Sequence, residues 1–234
     1  MSILEKIYAR ARERNATVVF PELDDPRVAE AAIRLQADGL CQAVPLAEIC
    51  EAQVAVLTQA RGMKETIARR LLAKPLYRAA AMVAAGQADA MVAGADSATK
   101  RVIEAASIAI GLAPEIKTPS SFFLMLFPDG RSLIFADCAV NVAPSQGELV
   151  DIARATAASA QGLLGAPRVA LLSYSTVDSG QGASVDMVRG AAESLADLGV
   201  DSFGPIQADA ALNLAIGAKK GVNSGDFNVL VFPD

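Results

Sequence analysis

The stretch TVVFPELDDPRVAEAAIRLQADG, residues 17–39, decides the fold class. Its first part, TVVFPE from Thr17 to Glu22, is an apolar, β-branched run broken at Pro21, the pattern of a buried strand. Asp25 and Pro26 then signal a helix start: a capping carboxylate, followed by the residue best tolerated in a first helical turn. Val28, Ala32, Ile33 and Leu35 recur at helical spacing, and Gly39 stops the pattern. A buried strand feeding an amphipathic helix is the repeating unit of an α/β protein.

The same alternation extends outward. Ile3 to Arg14 reads as an amphipathic helix, and Glu48 to Leu57, Lys64 to Leu72 and Pro75 to Ala85 as further helices, the last ended by Gly86. ADAMVAG, Ala88 to Gly94, reads as a strand, followed by a helix that runs to Gly111. The apolar runs SFFLMLF and SLIFADC flank Pro128-Asp129-Gly130, which predicts a hairpin and so a mixed sheet. Beyond it, Gln146 to Leu164 is a helix, RVALLSYS a strand, Ala183 to Leu198 a helix, GPIQADAALNLAIGAKK a helix and FNVLVFP a strand. The expected class is α/β in two domains, with mixed and parallel sheets flanked by helices. The boundary falls near Ile116, giving residues 1–115, incomplete without a C-terminal segment, and residues 116–234. The sequence stops on VLVFPD, at the tip of a strand with no covering helix after it. That points to an incomplete chain and to association through an exposed final strand.

Composition narrows the function. Of 234 residues, 53% are hydrophobic and 20% charged, enough apolar material for a sizeable core. A net charge of -5 argues against a general nucleic-acid binder, and no basic run suits a membrane surface. The N-terminus lacks the apolar core of a secretion signal, and no stretch is long enough to span a bilayer, which together predict a cytoplasmic protein. Three scattered cysteines make neither a disulfide framework nor a metal knuckle, and the absence of histidine excludes Ser-His-Asp, Cys-His and His-zinc chemistry. Carboxylates, hydroxyls, lysine, arginine, backbone amides or a thiol must carry any reaction.

Ligands of parallel sheets bind at the carboxyl ends of strands, and two such ends stand out. In MVAGADSATKRVIEA, Ser97 and Thr99 sit where a helix begins. There, free amides and hydroxyls suit an anion, although either residue could simply cap the helix. In LLSYSTVDSGQGASVDMV, Ser173, Ser175, Thr176, Ser179, Gly180 and Gly182 lie between a strand and a helix. They form either a phosphate cradle or a loop closed by a Ser184 cap; the spacing matches neither common glycine-rich nucleotide loop. Asp137 and Asn141 follow the hairpin, where Asp137 could orient a ligand or cap a turn, and Cys138 reads as an inert core thiol. Lys219 and Lys220 lie near a helix C-terminus, where a cation is favoured without any ligand.

The runs VVFPELDDPRVAEAA, KPLYRAAAMVAAGQADAMVAGA, TPSSFF, FADCAVNVAP, PRVALLSYST, VDMVRGAAE, GPIQADAA and NVLVFPD occur in this order over nearly the whole chain. Together they resemble the phosphate acetyl/butyryltransferase family, the phosphotransacetylases. The resemblance implies a two-domain fold similar to the isocitrate and isopropylmalate dehydrogenases. It also implies a homodimer and acyl transfer between coenzyme A and phosphate in an interdomain cleft. Coenzyme A is then a substrate, no metal or separate cofactor is needed, and the partners are acyl-CoA, phosphate and acyl phosphate, with no nucleic acid or membrane. Thr99 aligns with an active-site hydroxyl, Ser120 and Ser121 with a neighbouring serine-rich stretch, and Lys220 with a lysine associated with coenzyme A. The chain departs from the family pattern in several places. It stops before the C-terminal stretch that supplies a catalytic serine, arginine and aspartate. Glu104 and Ala105 stand where the family has arginine and proline, Thr58 stands at another arginine with Arg61 nearby, and Asp96 replaces an uncharged residue. Arg101, on nearly the same helix face as Glu104, is the candidate substitute. Two alternatives are a non-catalytic acyl-CoA-binding or regulatory domain and, from the similar fold, a metal-dependent 3-hydroxyacid dehydrogenase.

Overall fold

The structure, a computed structural model, describes residues 2–222 and 225–234. It divides into two compact units, Ile3–Leu112 and Ala113–Asp234. Each is α/β.

The first unit runs α1 (Ile3–Arg14), β1 (Thr17–Val19), α2 (Pro26–Ala37), β2 (Gln42–Val44), α3 (Glu51–Arg61), α4 (Glu65–Leu72), α5 (Pro75–Ala84), β3 (Ala90–Met91) and α6 (Thr99–Ala109). Its three strands pair in parallel in the order β2-β1-β3, with Val18 opposite both Ala43 and Ala90. Helix α2 starts as the sequence predicts: the Asp25 carboxylate accepts the Arg27 amide, and Pro26 fills the first turn. Leu57 and Leu72 are fully buried among Val54, Tyr77, Ala80, Ala81, Ala105 and Ala109. These residues pack α3, α4, α5 and α6 together.

The second unit runs β4 (Phe122–Leu126), β5 (Ser132–Ala136), α7 (Gln146–Leu163), β6 (Val169–Leu172), α8 (Ala183–Asp197), β7 (Ser202–Ile206), α9 (Ala208–Leu212), α10 (Leu214–Lys219) and β8 (Val229–Val231). The sheet order is β4-β5-β8-β6-β7, parallel except for the β4–β5 hairpin. Along β6 the side chains alternate between two cores. Val169 and Leu171 join Leu149, Ile152, Val188 and Leu195 of α7 and α8, while Ala170 and Leu172 join Ile206, Ala210, Phe227 and Leu230. Burial on both faces explains the unbroken apolar run of this strand, each large side chain contributing roughly 1.5–3 kcal/mol. Helix α7 opens on a reciprocal cap, in which the Ser145 hydroxyl accepts the Glu148 amide and the Glu148 carboxylate accepts the Ser145 amide.

Several expectations change. The final strand is not exposed. β8 lies between β5 and β6, and Val229, Leu230 and Val231 are at most 1% exposed. The segment at 42–44 is a strand, too short and too half-exposed to show a periodicity, and the helix after it begins at Glu51 rather than Glu48. SFGPI is also a strand, although Pro205 argues against one. β7 lies at the sheet edge, where a missing amide costs no ladder bond. The single helix expected over GPIQADAALNLAIGAKK is two, because Asn213 leaves helical geometry at φ -136 and its side chain caps α10 instead. Ile33, expected on the buried face of α2, is 72% exposed.

Candidate functional site

In the second unit, β5, β8, β6 and β7 all point the same way, so the loops that follow them emerge at one sheet edge. β4 runs opposite and begins at that edge, bringing Ser120 and Ser121 beside the end of β5. Asp137 leaves β5 there and is wrapped by donors. Its carboxylate accepts the amides of Ser121 at 3.0 Å and Asn141 at 2.6 Å, the Asn141 side-chain amide at 2.6 Å, and the Ser121 hydroxyl. Burial alone would raise the Asp137 pKa, but the hydrogen bonds from Ser121, Asn141 and Ala139 outweigh it and hold the pKa below the usual aspartate value. An acid so stabilised as its anion is a poor proton acceptor; it ties the hairpin to the following loop. Cys138 is half-buried rather than a core residue, and its thiol donates to the Ser121 hydroxyl at 3.2 Å.

The hydroxyl-rich loop after β6 bonds to itself and to the start of α9. Ser179 accepts the Thr176 amide at 2.9 Å and meets the Ser175 hydroxyl at 3.2 Å. Thr176 donates to Gln207 Oε1 at 3.2 Å and accepts the Gln207 amide at 3.0 Å. Ser175 and Thr176 are 1% and 3% exposed, which makes them loop locks in this conformation. Helix α8 has no Ser184 cap; its capping residue is Gly182. Lys220 reaches back to the same cluster, donating to Gln207 at 2.8 Å and to both Asp209 oxygens at 2.9 Å. Gln207 and Asp209 were not singled out in the sequence. Their only signal there is their place directly after GPI, at a strand end.

In the first unit, β1 and β3 also end at one edge. The loop Gly94–Ser97 turns its amides inward there, as expected of an anion site, and neither Ser97 nor Thr99 caps α6, whose capping residue is Ala98. The amides are already taken. Glu22 Oε2 accepts Gly94 at 2.8 Å and Ala95 at 2.9 Å, and Oε1 accepts Ser97 at 2.8 Å and Asp96 at 3.4 Å. Burial works to raise the Glu22 pKa, yet the Ser97 side chain and the loop amides bring it down to about 2. Glu22 was missed in the sequence because it reads as the polar end of a strand.

Beside this loop lies a cleft of about 1010 Å³, lined by Glu22, Lys74, Tyr77, Ser97, Arg101 and Glu104 among others. Thr99 is exposed and lies outside that lining. Lys74 Nζ stands over the Tyr77 ring at 5.4 Å from its centroid. Tyr77 is 7% exposed; burial raises its phenol pKa, and the hydrogen-bonded Glu104 carboxylate raises it further. Lys74 and Arg101 have no ion-pair partner among the described residues; of the five carboxylates in the lining, Glu22, Asp25 and Glu104 are engaged, and Asp24 and Asp96 are the other two. Thr58 faces away from this chemistry, donating to the carbonyl of Val54 at 3.1 Å, and Arg61 holds the carbonyls of Ser107 and Ile108. Among the described residues no group of three or more carboxylates and thiols is arranged to hold a metal ion, and no helix is long and apolar enough to cross a membrane.

Comparison with known proteins sets the whole chain beside one family. The phosphate acetyl/butaryl transferase family matches residues 2–234. A phosphate acetyltransferase of Paracoccus denitrificans is 38% identical over 264 aligned positions, covering 100% of this chain and 83% of its own. One from Pseudomonas aeruginosa is 35% identical over 98% of this chain, but the chain spans only 37% of that relative's length. Among solved structures, a phosphotransacetylase from Streptococcus pyogenes superposes with a TM-score of 0.89 at 31% identity, over 100% of this chain and 83% of that one.

Proposed function

The chain belongs to the phosphate acetyl/butaryl transferase family, and from that footing we propose that it transfers an acetyl or other short acyl group between coenzyme A and inorganic phosphate. The observation that carries the reading is the first-unit cleft, with the cations Lys74 and Arg101 free of carboxylate partners among the described residues. Both substrates carry phosphate groups, and such cations suit them. In one direction the coenzyme A sulfur attacks the acyl phosphate carbonyl, phosphate leaves with the electron pair of the broken C–O bond, and the thiol proton ends on the departing phosphate. The reverse returns acyl phosphate and the free thiol. The chemistry asks for cations on the phosphate and donors toward the developing oxyanion, neither of which requires histidine.

In this reading Ser97 and Arg101 contact substrate from the cleft, and Thr99, Ser120, Ser121, Asp137, Thr176, Ser179 and Lys220 are further contacts or the supports of contacts. The protein is a cytoplasmic homodimer with domains 1–115 and 116–234, similar in fold to the isocitrate and isopropylmalate dehydrogenases. A second reading, a non-catalytic acyl-CoA-binding domain, is favoured by Glu104, which lines the cleft where the family resemblance expects an arginine.

Thiol release from acetyl-CoA on addition of phosphate is the test. Release that saturates with phosphate, with a raised phosphate KM in Arg101→Ala, supports transfer. Acetyl-CoA binding without release supports the second reading.

A further inference from the structure

The β1–α2 turn and the β3–α6 loop grip one another. The Glu22 carboxylate takes the amides of Gly94, Ala95, Asp96 and Ser97, two on each oxygen. Arg27 Nη2 donates to the Ala95 carbonyl at 3.1 Å and is itself fixed by Asp25 at 2.6 Å. The loop is therefore held from one side through four of its amide donors and one of its carbonyl acceptors. Converging main-chain amides make a cradle for an anion, and here the occupant is part of the protein. Anion recognition in the cleft is left to side chains, whose pose depends on this loop. Ser97 is one of the four gripped residues, and Arg101 lies in the first turn of the helix the loop feeds.

We infer that Glu22 is a positioning residue for the cleft, filling the loop's anion cradle with its own carboxylate so that Ser97 and Arg101 are held in a single pose toward substrate. The inference rests on the cleft being where acyl transfer takes place, and it deepens that reading. The chemistry of the grip demands a carboxylate. A glutamine has one acceptor oxygen, and its amide hydrogens would face donors; an alanine leaves every one of the four amides unpartnered.

The experiment uses the full chain as Glu22→Ala and Glu22→Gln, with two independent readouts: amide hydrogen exchange at residues 94–97, and kinetics with acetyl-CoA and phosphate. Formate is the added probe. Glu22→Ala should lose protection at these amides and fall roughly 10- to 100-fold in kcat/KM, the scale of a small misplacement of reacting groups. Formate should restore both saturably, and chloride should not. Glu22→Gln should show the same losses without rescue, because its side chain blocks the cradle; this variant carries the test if the alanine does not fold. Unchanged exchange and kinetics in both variants, or a folded Glu22→Ala that formate does not restore, would overturn the inference. A wild-type chain without acyl transfer would remove the functional reading alone, and the exchange measurements would still decide whether Glu22 sets the loop.

Discussion

Lys220 and Asp209 form a two-pronged ion pair, with Nζ 2.9 Å from each carboxylate oxygen. The lysine that the family resemblance links to coenzyme A is thus neutralised by a residue eleven positions earlier, and any incoming phosphate competes with that carboxylate. Both side chains are partly exposed, so solvent screens the pair and an anion can displace it. Asp209→Asn is expected to lower the KM for coenzyme A by about two- to fivefold, and Lys220→Ala to raise it. Initial rates against coenzyme A with acetyl phosphate check both; a raised KM in Asp209→Asn would mean that the aspartate orients the lysine rather than masking it.

The grip of Glu22 also predicts an acid limb. Its folded pKa is depressed from 4.5 to about 2, so the stabilisation is fully present above 4.5 and is lost as pH falls toward 2. Urea midpoints measured across that window should drop more steeply in the wild type than in Glu22→Gln, which has no proton to take up. Parallel curves would assign the acid limb to other carboxylates.

Leu230 lies at the middle of the second sheet and is 1% exposed. Leu230→Ala should therefore cost about 2–5 kcal/mol, the range for truncating a leucine in a core. A strand exposed at the end of the chain would lose well under that. Chemical denaturation of the two forms separates these outcomes.

The Ser145–Glu148 cap closes the first turn of α7, a helix that buries Leu149 and Ile152. Ser145→Ala should destabilise the protein by about 1 kcal/mol, with acyl-transfer kinetics unchanged. A circular-dichroism melt and the thiol-release assay, run together, check both halves of that statement.

How far the sequence revealed this structure depended on how local each cause was. The start of α2 was legible because Asp25 and Pro26 act on their own neighbours, and so was the Pro128–Gly130 hairpin turn, which closes β4 onto β5. β7 was hidden, because a strand containing Pro205 is acceptable only at an edge, and edges are decided by the whole sheet. The same held for function. Ser97 was visible as a hydroxyl at a strand end and Arg101 through the family resemblance, and both line one cleft, whereas Thr99, equally visible, does not. Lys74 and Tyr77 were not visible, because only tertiary packing brings the start of α5 beside α6. Glu22 was the least legible, since its partners lie more than seventy residues away.

The central position of β8 has a consequence for synthesis. β5 and β6 do not pair with each other; each pairs with β8. On the ribosome, the hairpin and the β6–β7 pair can each form early, but they stay unjoined until residues 229–231 clear the exit tunnel. Closure of the second unit is thus a late event that depends on contacts far apart in sequence, which slow folding. Until then a nascent chain presents two raw sheet edges, the kind of surface a holding chaperone would cover.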